Sequence, residues 1–259
     1  MTKGPLIMDN VVTEIGDRIL TIRLNRPDKR NALTRPMYSG LADALEWAEA
    51  DASIRVVVLA GNANCFTAGN DLSDGMIEGP EGPHGRFMRA LTECGKPIVA
   101  APSGIAVGIG VTMLLHCDLV YCGSHTSFRI PFVPLAVCPE CASSYMLPRL
   151  VGHHRASEIL LTGAAFDAIT ALELGIVNGV FPNDQVEEIA NAKAVLIATQ
   201  PPTSVRTTKM LMKRSIAADV REAINVEIEH LVRLQHGAEA MEAVSAFKEK
   251  RRADFSQFS

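Results

Sequence analysis

The sequence predicts an α/β fold whose last part is helical. Short apolar runs at 54–60, 97–101 and 119–121 have the composition of strands that are buried on both faces. Segments with helical spacing of apolar residues lie between these runs and dominate the later part of the chain. The chain has 259 residues, of which 47% are hydrophobic, which is enough for one large core. We expect a mixed core over residues 1–195 and a helical region over residues 196–259.

The first elements should be a β-hairpin and a helix. Val11 to Leu24 contains two runs rich in valine, isoleucine and threonine, joined at Gly16-Asp17, which is typical of a hairpin. Thr34 is a good N-cap residue, and the apolar residues after it recur at helical spacing as far as Ala48. The first buried strand, the run at 54–60, then follows this helix.

A long loop is expected at residues 73–85, which contain four glycines and two prolines. Loops of this length in compact domains commonly act as lids or binding loops. A helix near 86–94 and the strand at 97–101 should come next. Residues 104–117 begin glycine-rich and end apolar, which suits a loop that enters a buried helix, and a short strand at 119–121 follows.

The later part of the chain should be mainly helical. We expect a helix near 153–162 and a second one that is capped by Asp167 and ends at Gly175. A strand at 176–181 comes next, and three helices should fill 184–250.

Composition excludes several classes of protein. The formal net charge of −4 makes nucleic acid a poor partner. The first ten residues lack the apolar stretch of a signal peptide, and the longest apolar stretches are interrupted by glycine, proline or charge, so none should span a bilayer. The C-terminal residues Ser256–Ser259 do not form a peroxisomal address. We therefore expect a cytoplasmic protein that binds neither nucleic acid nor a membrane.

The six cysteines are scattered, and most have apolar neighbours, which favours buried free thiols over disulfides. Cys138 and Cys141 have redox or zinc spacing, but a structural zinc site needs two further ligands and there is no second such pair. His153 and His154 are the nearest alternatives, yet two inert thiols are the favoured interpretation. We expect no metal site.

Two junctions between a strand and a loop are the best candidates for a functional site, because the chain has neither a Gly-x-Ser-x-Gly elbow nor a phosphate-binding loop. One runs from Leu59 to Leu72 through the small residues Thr67-Ala68-Gly69. The other, Ser103 to Gly110, precedes a helix; its Gly108-Ile109-Gly110 is only part of a dinucleotide fingerprint. Backbone N–H groups at such turns can bind an oxyanion, although spacing alone equally fits two ordinary tight turns.

The chain resembles the enoyl-CoA hydratase/isomerase (crotonase) family at several landmarks along almost its whole length. The matching segments are Asn25–Leu33 (a CoA-contacting loop), Phe66–Leu72 and Gly104–Gly110 with Cys117-Asp118 (two oxyanion loops), and Leu172–Val177 and Ala246–Arg251. The resemblance implies a crotonase-like spiral of ββα units, with a helical C-terminal region that assembles trimers or hexamers. It also implies an acyl-CoA thioester substrate and no separate cofactor, since CoA is part of the substrate.

The resemblance further assigns site residues. The oxyanion donors would be the backbone N–H groups of Ala68 and Ile109. The residues that would contact the substrate or its CoA part are Lys29, Ala32, Leu33, Ala68, Gly69, Asn70, Asp71, Leu72 and Phe132.

The expected reaction depends on three positions. Thr112 and Phe132 stand where hydratases of this family have their two glutamates, and neither can act as a base. The segment around Glu140 resembles the part of the delta-3,delta-2-enoyl-CoA isomerases that carries their catalytic glutamate. The resemblance therefore implies that a 3-enoyl-CoA is converted to a 2-trans-enoyl-CoA, with Glu140 moving the proton. Two alternatives stay open: another acyl-CoA reaction on the same scaffold, such as hydration, lysis or thioester hydrolysis, and a non-catalytic acyl-CoA-binding or RNA-binding protein.

Overall fold

Seven strands of the described residues form one sheet. In the computed structural model, which describes residues 6–8 and 10–258, the strands of this sheet are β1 (Leu6–Met8), β2 (Val11–Gly16), β3 (Ile19–Leu24), β4 (Val56–Ala60), β5 (Ile98–Ala101), β7 (Leu119–Gly123) and β10 (Gly179–Phe181), adjacent in this order. The first three strands are antiparallel, and pairing from β3 to β10 is parallel. A smaller sheet contains β6 (Ile105–Val107), β8 (Ser127–Arg129) and β9 (Ala165–Asp167).

Helices cover both faces of the large sheet. The helices of the described residues are α1 (Arg35–Ala50), α2 (Pro83–Glu93), α3 (Ile109–Thr112), α4 (Ser143–Val151), α5 (His153–Thr162), α6 (Ala168–Glu173), α7 (Val186–Ala198), α8 (Pro202–Lys213), α9 (Ala217–Leu234) and α10 (Ala238–Glu249).

The strand β4 shows how the two faces are filled. Its side chains at Val57 and Leu59 join the large core with α1 and α2, whereas those at Val56, Val58 and Ala60 pack with the apolar side of α7. Successive side chains of a strand point to opposite faces, so a continuous apolar run can serve two cores at once.

Several predicted elements are confirmed. The hairpin at 11–24 is the antiparallel pair β2–β3. Thr34 caps α1 by accepting a hydrogen bond from the N–H of Met37, and Asp167 caps α6 through the N–H of Thr170. All six cysteines are free thiols.

Other predictions were wrong in detail. Helix α2 begins at Pro83, so the loop expected at 73–85 is shorter than predicted. The strands β6, β8 and β9 were not predicted, because three residues are too few to show alternation. Region 184–250 holds four described helices, α7 to α10, instead of three. The division after residue 195 stays a prediction, and α7 runs across that position.

Nothing in the described part of the chain has the length and apolar character of a membrane-crossing helix. Residues 1–5, Asp9 and the final Ser259 lie outside the described residues, and so does most of the ten-residue segment to which the prediction about a signal peptide refers. The cytoplasmic location stays a prediction.

A buried ion pair ties the C-terminal helices to the sheet. Lys209 on α8 places its Nζ 2.6 Å from Oδ2 of Asp118, the residue directly before β7, and 2.7 Å from the carbonyl oxygen of Lys96. The same Asp118 oxygen accepts a hydrogen bond from the N–H of Ile98 on β5 (2.8 Å). A buried ion pair is stable when further hydrogen bonds satisfy its members, as they do here.

We expect Lys209→Met to lower the free energy of unfolding by about 3–5 kcal/mol, because Asp118 would keep its charge without its partner. Urea denaturation followed by circular dichroism measures this change. The control is Lys193→Met, which removes an exposed lysine from α7. Equal stability of the two variants would contradict this assignment.

Candidate active site

Three chain segments meet at one edge of the fold. We call them loop A (residues 25–33), loop B (residues 61–72) and the β6–α3 segment (residues 105–112). Loop A follows β3, loop B follows β4, and the third segment follows β5, so all three leave the ends of neighbouring parallel strands. Ligands of α/β folds commonly bind at such an edge.

Loop B is joined to β6 by backbone hydrogen bonds. The N–H groups of Phe66 and Thr67 donate to the carbonyl of Ile105 (3.0 and 3.1 Å), and the N–H of Val107 donates to the carbonyl of Thr67 (3.0 Å). The two strand–loop junctions singled out in the sequence therefore lie side by side.

Loop A is joined to loop B in a similar way. The N–H of Leu33 donates to the carbonyl of Gly69 (2.8 Å), and the N–H of Asp71 donates to the carbonyl of Leu33 (2.9 Å). The buried amide Nδ2 of Asn31 donates to the carbonyls of Cys65 and Phe66, both at 3.1 Å. These contacts leave little freedom in the relative positions of the two loops.

The close approach of loop B to β6 requires a glycine. Gly69 has φ +88°, and a Cβ at this position would lie 2.7 Å from the carbonyl oxygen of Val107. Any other residue would therefore be strained in its backbone and would clash with β6.

The two expected oxyanion donors are not equivalent in this structure. Ile109 is the first residue of α3, where a backbone N–H has no acceptor within the helix. The N–H of Ala68, in contrast, donates to the carbonyl of Arg30 in loop A at 2.9 Å. The Arg30 carbonyl also accepts from the thiol of Cys65 at 3.0 Å. Ala68 can thus serve an incoming oxyanion only if the Arg30 carbonyl moves or shares this donor.

Glu140 lies in the loop before α4, and only 4% of its surface is exposed. Its Oε1 accepts a hydrogen bond of 2.6 Å from Oγ1 of Thr112, at the end of α3. Burial raises the pKa of Glu140 to about 8; the hydrogen bond from Thr112 opposes this shift, and the charge of Glu227 adds to it. A carboxyl group with such a pKa can both accept and return a proton near neutral pH.

The structure places the remaining predicted residues as follows. Lys29 is exposed on loop A, Ala32, Asn70 and Leu72 are half-buried, and Leu33 is fully buried in the core. The side chain of Leu33 thus helps to hold loop A in place. Phe132 is buried, and its Cε1 lies 3.9 Å from where a Cβ would stand at Gly108, directly before α3.

Asp71 has a partner that sequence reasoning missed. Its Oδ2 lies 2.6 Å from the guanidinium of Arg26 in loop A, and its Oδ1 accepts from the N–H and hydroxyl of Ser73. Burial alone would raise the pKa of Asp71, but the hydrogen bonds from Ser73 and Arg26 lower it to about 2. This ion pair is a further link between loops A and B. The consecutive residues Asn25-Arg26-Pro27 do not by themselves indicate that Arg26 pairs with Asp71.

His84 belongs to the segment expected as a loop at 73–85, and the structure buries it. It lies in the first turn of α2, is buried, and packs its ring 4.1 Å from the ring of Tyr38. Its Nε2 lies 3.2 Å from Oδ1 of Asn70 in loop B. Burial lowers the pKa of His84 to about 4, so it is neutral at pH 7.

Within the described residues, no three histidine, cysteine, aspartate or glutamate side chains are grouped as metal ligands. Cys138 and Cys141 flank Glu140 in the chain, and burial raises the pKa of the Cys138 thiol to about 11. Such thiols are protonated near neutral pH and are weak nucleophiles.

Comparisons with known proteins agree on one family. The family model described as "Enoyl-CoA hydratase/isomerase" matches residues 14–258. The chain is 32% identical over 253 residues to 2,3-dehydroadipyl-CoA hydratase of Escherichia coli, covering 96% of this chain and 99% of that protein. It is also 32% identical over 229 residues to human enoyl-CoA delta isomerase 2, covering 85% of this chain and 58% of that protein.

Solved structures show the same relationship. An enoyl-CoA hydratase/isomerase of Pseudoalteromonas atlantica superposes with a TM-score of 0.92 at 39% identity, covering 95% of this chain and 100% of that one. The chain therefore shares the fold of these relatives, while the reactions in their names differ.

We expect Thr112→Val to raise the pKa of Glu140 above about 8. The hydrogen bond from Thr112 stabilises the charged carboxylate, and the variant loses this bond. Infrared titration of the protonated carboxyl band measures this pKa, and the band that is absent in Glu140→Gln identifies the group. Thr112→Ser keeps the hydroxyl and should titrate like the wild type. An unchanged pKa in Thr112→Val would show that this hydrogen bond does not form in solution.

Proposed function

The chain belongs to the enoyl-CoA hydratase/isomerase family, and on that premise we propose that it moves a double bond in an enoyl-CoA thioester from carbon 3 to carbon 2. The expected crotonase-like fold is confirmed by the family model and by the superposed structures. Acyl-CoA hydratase/isomerase chemistry is common to the family. The observation that supports isomerisation is the buried carboxylate of Glu140, hydrogen-bonded to Thr112.

The proposed reaction begins with removal of a proton from C2 of a 3-enoyl-CoA. This carbon lies between the thioester carbonyl and the double bond, so its C–H bond gives a delocalised dienolate. The ionised carboxylate of Glu140 accepts the proton, and the electron pair moves towards the thioester oxygen. Glu140 then returns the same proton to C4, which leaves the double bond between C2 and C3. One carboxylate suffices, because both carbons lie on one face of the planar intermediate.

Backbone N–H groups would stabilise the charge that develops on the thioester oxygen. We assign this role to Ile109 and Ala68, and one such donor is typically worth about 3–4 kcal/mol in the transition state. The Ala68 donor is engaged by the Arg30 carbonyl in this structure, so substrate entry would have to displace that carbonyl. Loop A, which contains Arg30, is also the segment that we expect to contact CoA, with exposed Lys29 near its phosphates.

Phe132 supports an apolar environment for the intermediate. It is buried beside Gly108, the residue directly before α3. A dry wall limits the access of water, which would otherwise protonate or hydrate the acyl group. The proposed reaction uses no cofactor, since CoA is part of the substrate.

We also propose that the protein assembles as a trimer or hexamer through its C-terminal helices. Large apolar side chains are exposed there, at Met210, Leu211 and Met212 on α8 and at Met241 and Phe247 on α10. Exposed apolar patches of this kind commonly mark an interface between protein chains.

We expect Glu140→Gln to lower kcat for isomerisation of 3-hexenoyl-CoA by about 10²–10⁴-fold, the usual contribution of a positioned base. The measurement is the growth of the ultraviolet band of the conjugated enoyl thioester. For the wild type, kcat/KM should fall as the pH drops below about 8, because protonated Glu140 cannot accept the C2 proton. Glu158→Gln, at an exposed acid of α5, is the control. Full activity of Glu140→Gln would exclude this residue as the base.

A second candidate is hydration, favoured by the match to 2,3-dehydroadipyl-CoA hydratase over nearly the whole chain. We expect hydration of crotonyl-CoA to be at least about 10²-fold slower than isomerisation, because Thr112 and Phe132 offer no second base for water. Loss of the crotonyl-CoA absorbance measures this rate. Rapid loss of absorbance would favour the hydratase.

A further inference from the structure

The backbone that follows Glu140 has an unusual conformation. Cys141 and Ala142 have φ of 57° and 53°, so two consecutive residues other than glycine adopt the left-handed region. A residue other than glycine is strained in this region and persists there only where the surroundings hold it. The direction of the Glu140 side chain depends on this turn, which we call the 141–142 turn.

A second buried carboxylate holds this turn. Glu227 on α9 is only 5% exposed. Its Oε2 accepts a hydrogen bond of 2.6 Å from the N–H of Ala142, and its Oε1 accepts from the N–H of Ser144 (2.9 Å) and from the Ser144 hydroxyl. The carbonyl of Glu227 also lies 3.4 Å from Sγ of Cys138. One residue of α9 thus contacts the chain on both sides of Glu140.

The other side of the turn is held from the opposite direction. The ring of His116 donates from Nε2 to the carbonyl of Cys141 at 2.7 Å. Burial lowers the pKa of His116 to about 4, so the ring is neutral at pH 7 and keeps one N–H for this carbonyl. His116 is the last residue of the 3₁₀ turn Met113–His116, which follows the helix that ends at Thr112, the residue that binds the Glu140 carboxylate.

We propose that Glu227 is a positioning residue for the proposed base: its buried carboxylate holds the 141–142 turn and thereby directs the Glu140 side chain towards Thr112. This inference rests on the proposed function, in which Glu140 is the base. The carboxylate of Glu227 contacts the N–H groups of Ala142 and Ser144 and the Ser144 hydroxyl, so it acts through the turn that carries Glu140.

The charge of Glu227 has a further consequence. Burial raises the pKa of Glu227, and the two N–H donors and one hydroxyl donor that face its oxygens oppose this shift by stabilising the ionised form. Its negative charge raises the pKa of Glu140. Tyr38, Cys138 and Cys141 also interact with Glu140, but burial raises the pKa of each, so they are neutral near pH 7. Removal of the charge at Glu227 should therefore lower the pKa of Glu140.

Two substitutions separate position from charge. Glu227→Gln keeps the length of the side chain and removes its charge. One of the two carboxylate oxygens is replaced by an NH₂ group, which cannot accept a hydrogen bond, so one of the two backbone N–H groups loses its acceptor. We expect kcat to fall on the order of 10- to 100-fold with KM changed less than about threefold, and the acid limb of the kcat/KM profile to move to lower pH. Glu227→Asp keeps the charge but is one methylene shorter, so kcat should fall while the acid limb stays in place.

Asp219→Asn is the matched control. Asp219 also lies on α9 and also contacts α4, through the hydroxyl of Tyr145 at 2.7 Å, but it touches none of the residues around Glu140. It should keep the wild-type kcat and acid limb. If Glu227 has only a structural role, its variants will melt at lower temperature while kcat for the folded protein and the acid limb stay at wild-type values, and the proposal is then wrong.

A failure of the proposed function can be recognised separately. If the wild type does not isomerise 3-hexenoyl-CoA, infrared titration of the Glu140 carboxyl in wild type and Glu227→Gln still tests the coupling between Glu227 and Glu140, and equal pKa values would overturn it.

If Glu227→Gln does not fold, Ser144→Ala removes only the hydroxyl donor to Glu227. A loss of kcat of about two- to fivefold at unchanged KM supports the proposal, and wild-type kcat contradicts it.

Discussion

Thr67 is the residue on which the geometry of the site depends. Its backbone pairs with β6 on one side, and its hydroxyl donates to the carbonyl of Asn31 (2.6 Å) in loop A while accepting from the N–H of Gly69 (3.0 Å). Its methyl group lies against Gly110 of α3, where a Cβ would come within 2.5 Å. One small, fully buried side chain therefore sets the spacing among loop A, loop B and the β6–α3 segment. Small residues at these positions are required because backbone, and not side chains, must line the place where an oxyanion would lie.

The second constraint is the burial of a carboxyl group. An ionised carboxylate is costly to bury, so the pKa of Glu140 rises to about 8. The protein offsets part of this cost with a single short hydrogen bond from Thr112, while Glu227 and His116 fix the backbone that carries the group. Supports from three separate elements are needed because the 141–142 turn is itself strained.

Sequence reasoning reached the parts of the site that depend on local chemistry. The turn at 66–72 and the glycines of the second junction are visible as small residues after buried strands, and Glu140 was found through resemblance to a subgroup of the family. Long-range partners carry no such signal: Arg26 pairs with Asp71 across 45 positions, and Glu227 meets Ala142 across 85. The hydrogen bond from the N–H of Ala68 to the carbonyl of Arg30 could not be predicted from the sequence either, because it depends on the left-handed conformation of Arg30, at φ 50°. His84 is buried because its ring packs against Tyr38 of α1. The glycine-rich composition around His84 gives no indication of this contact.

The identity of the residue at position 112 decides how many proton-transfer groups the site holds. A glutamate there would place a second carboxyl within hydrogen-bond distance of Glu140, given that the threonine hydroxyl already lies 2.6 Å from it. Two carboxyl groups so close titrate as a coupled pair that shares one proton. A threonine hydroxyl carries no charge and donates one hydrogen bond, so Glu140 titrates without a second acid at position 112. A single base that both removes and returns a proton is what a double-bond shift requires, whereas the addition of water needs a second polar group at this place. In the proposed function, the hydrogen bond between Thr112 and Glu140 is therefore the contact that favours isomerisation over hydration.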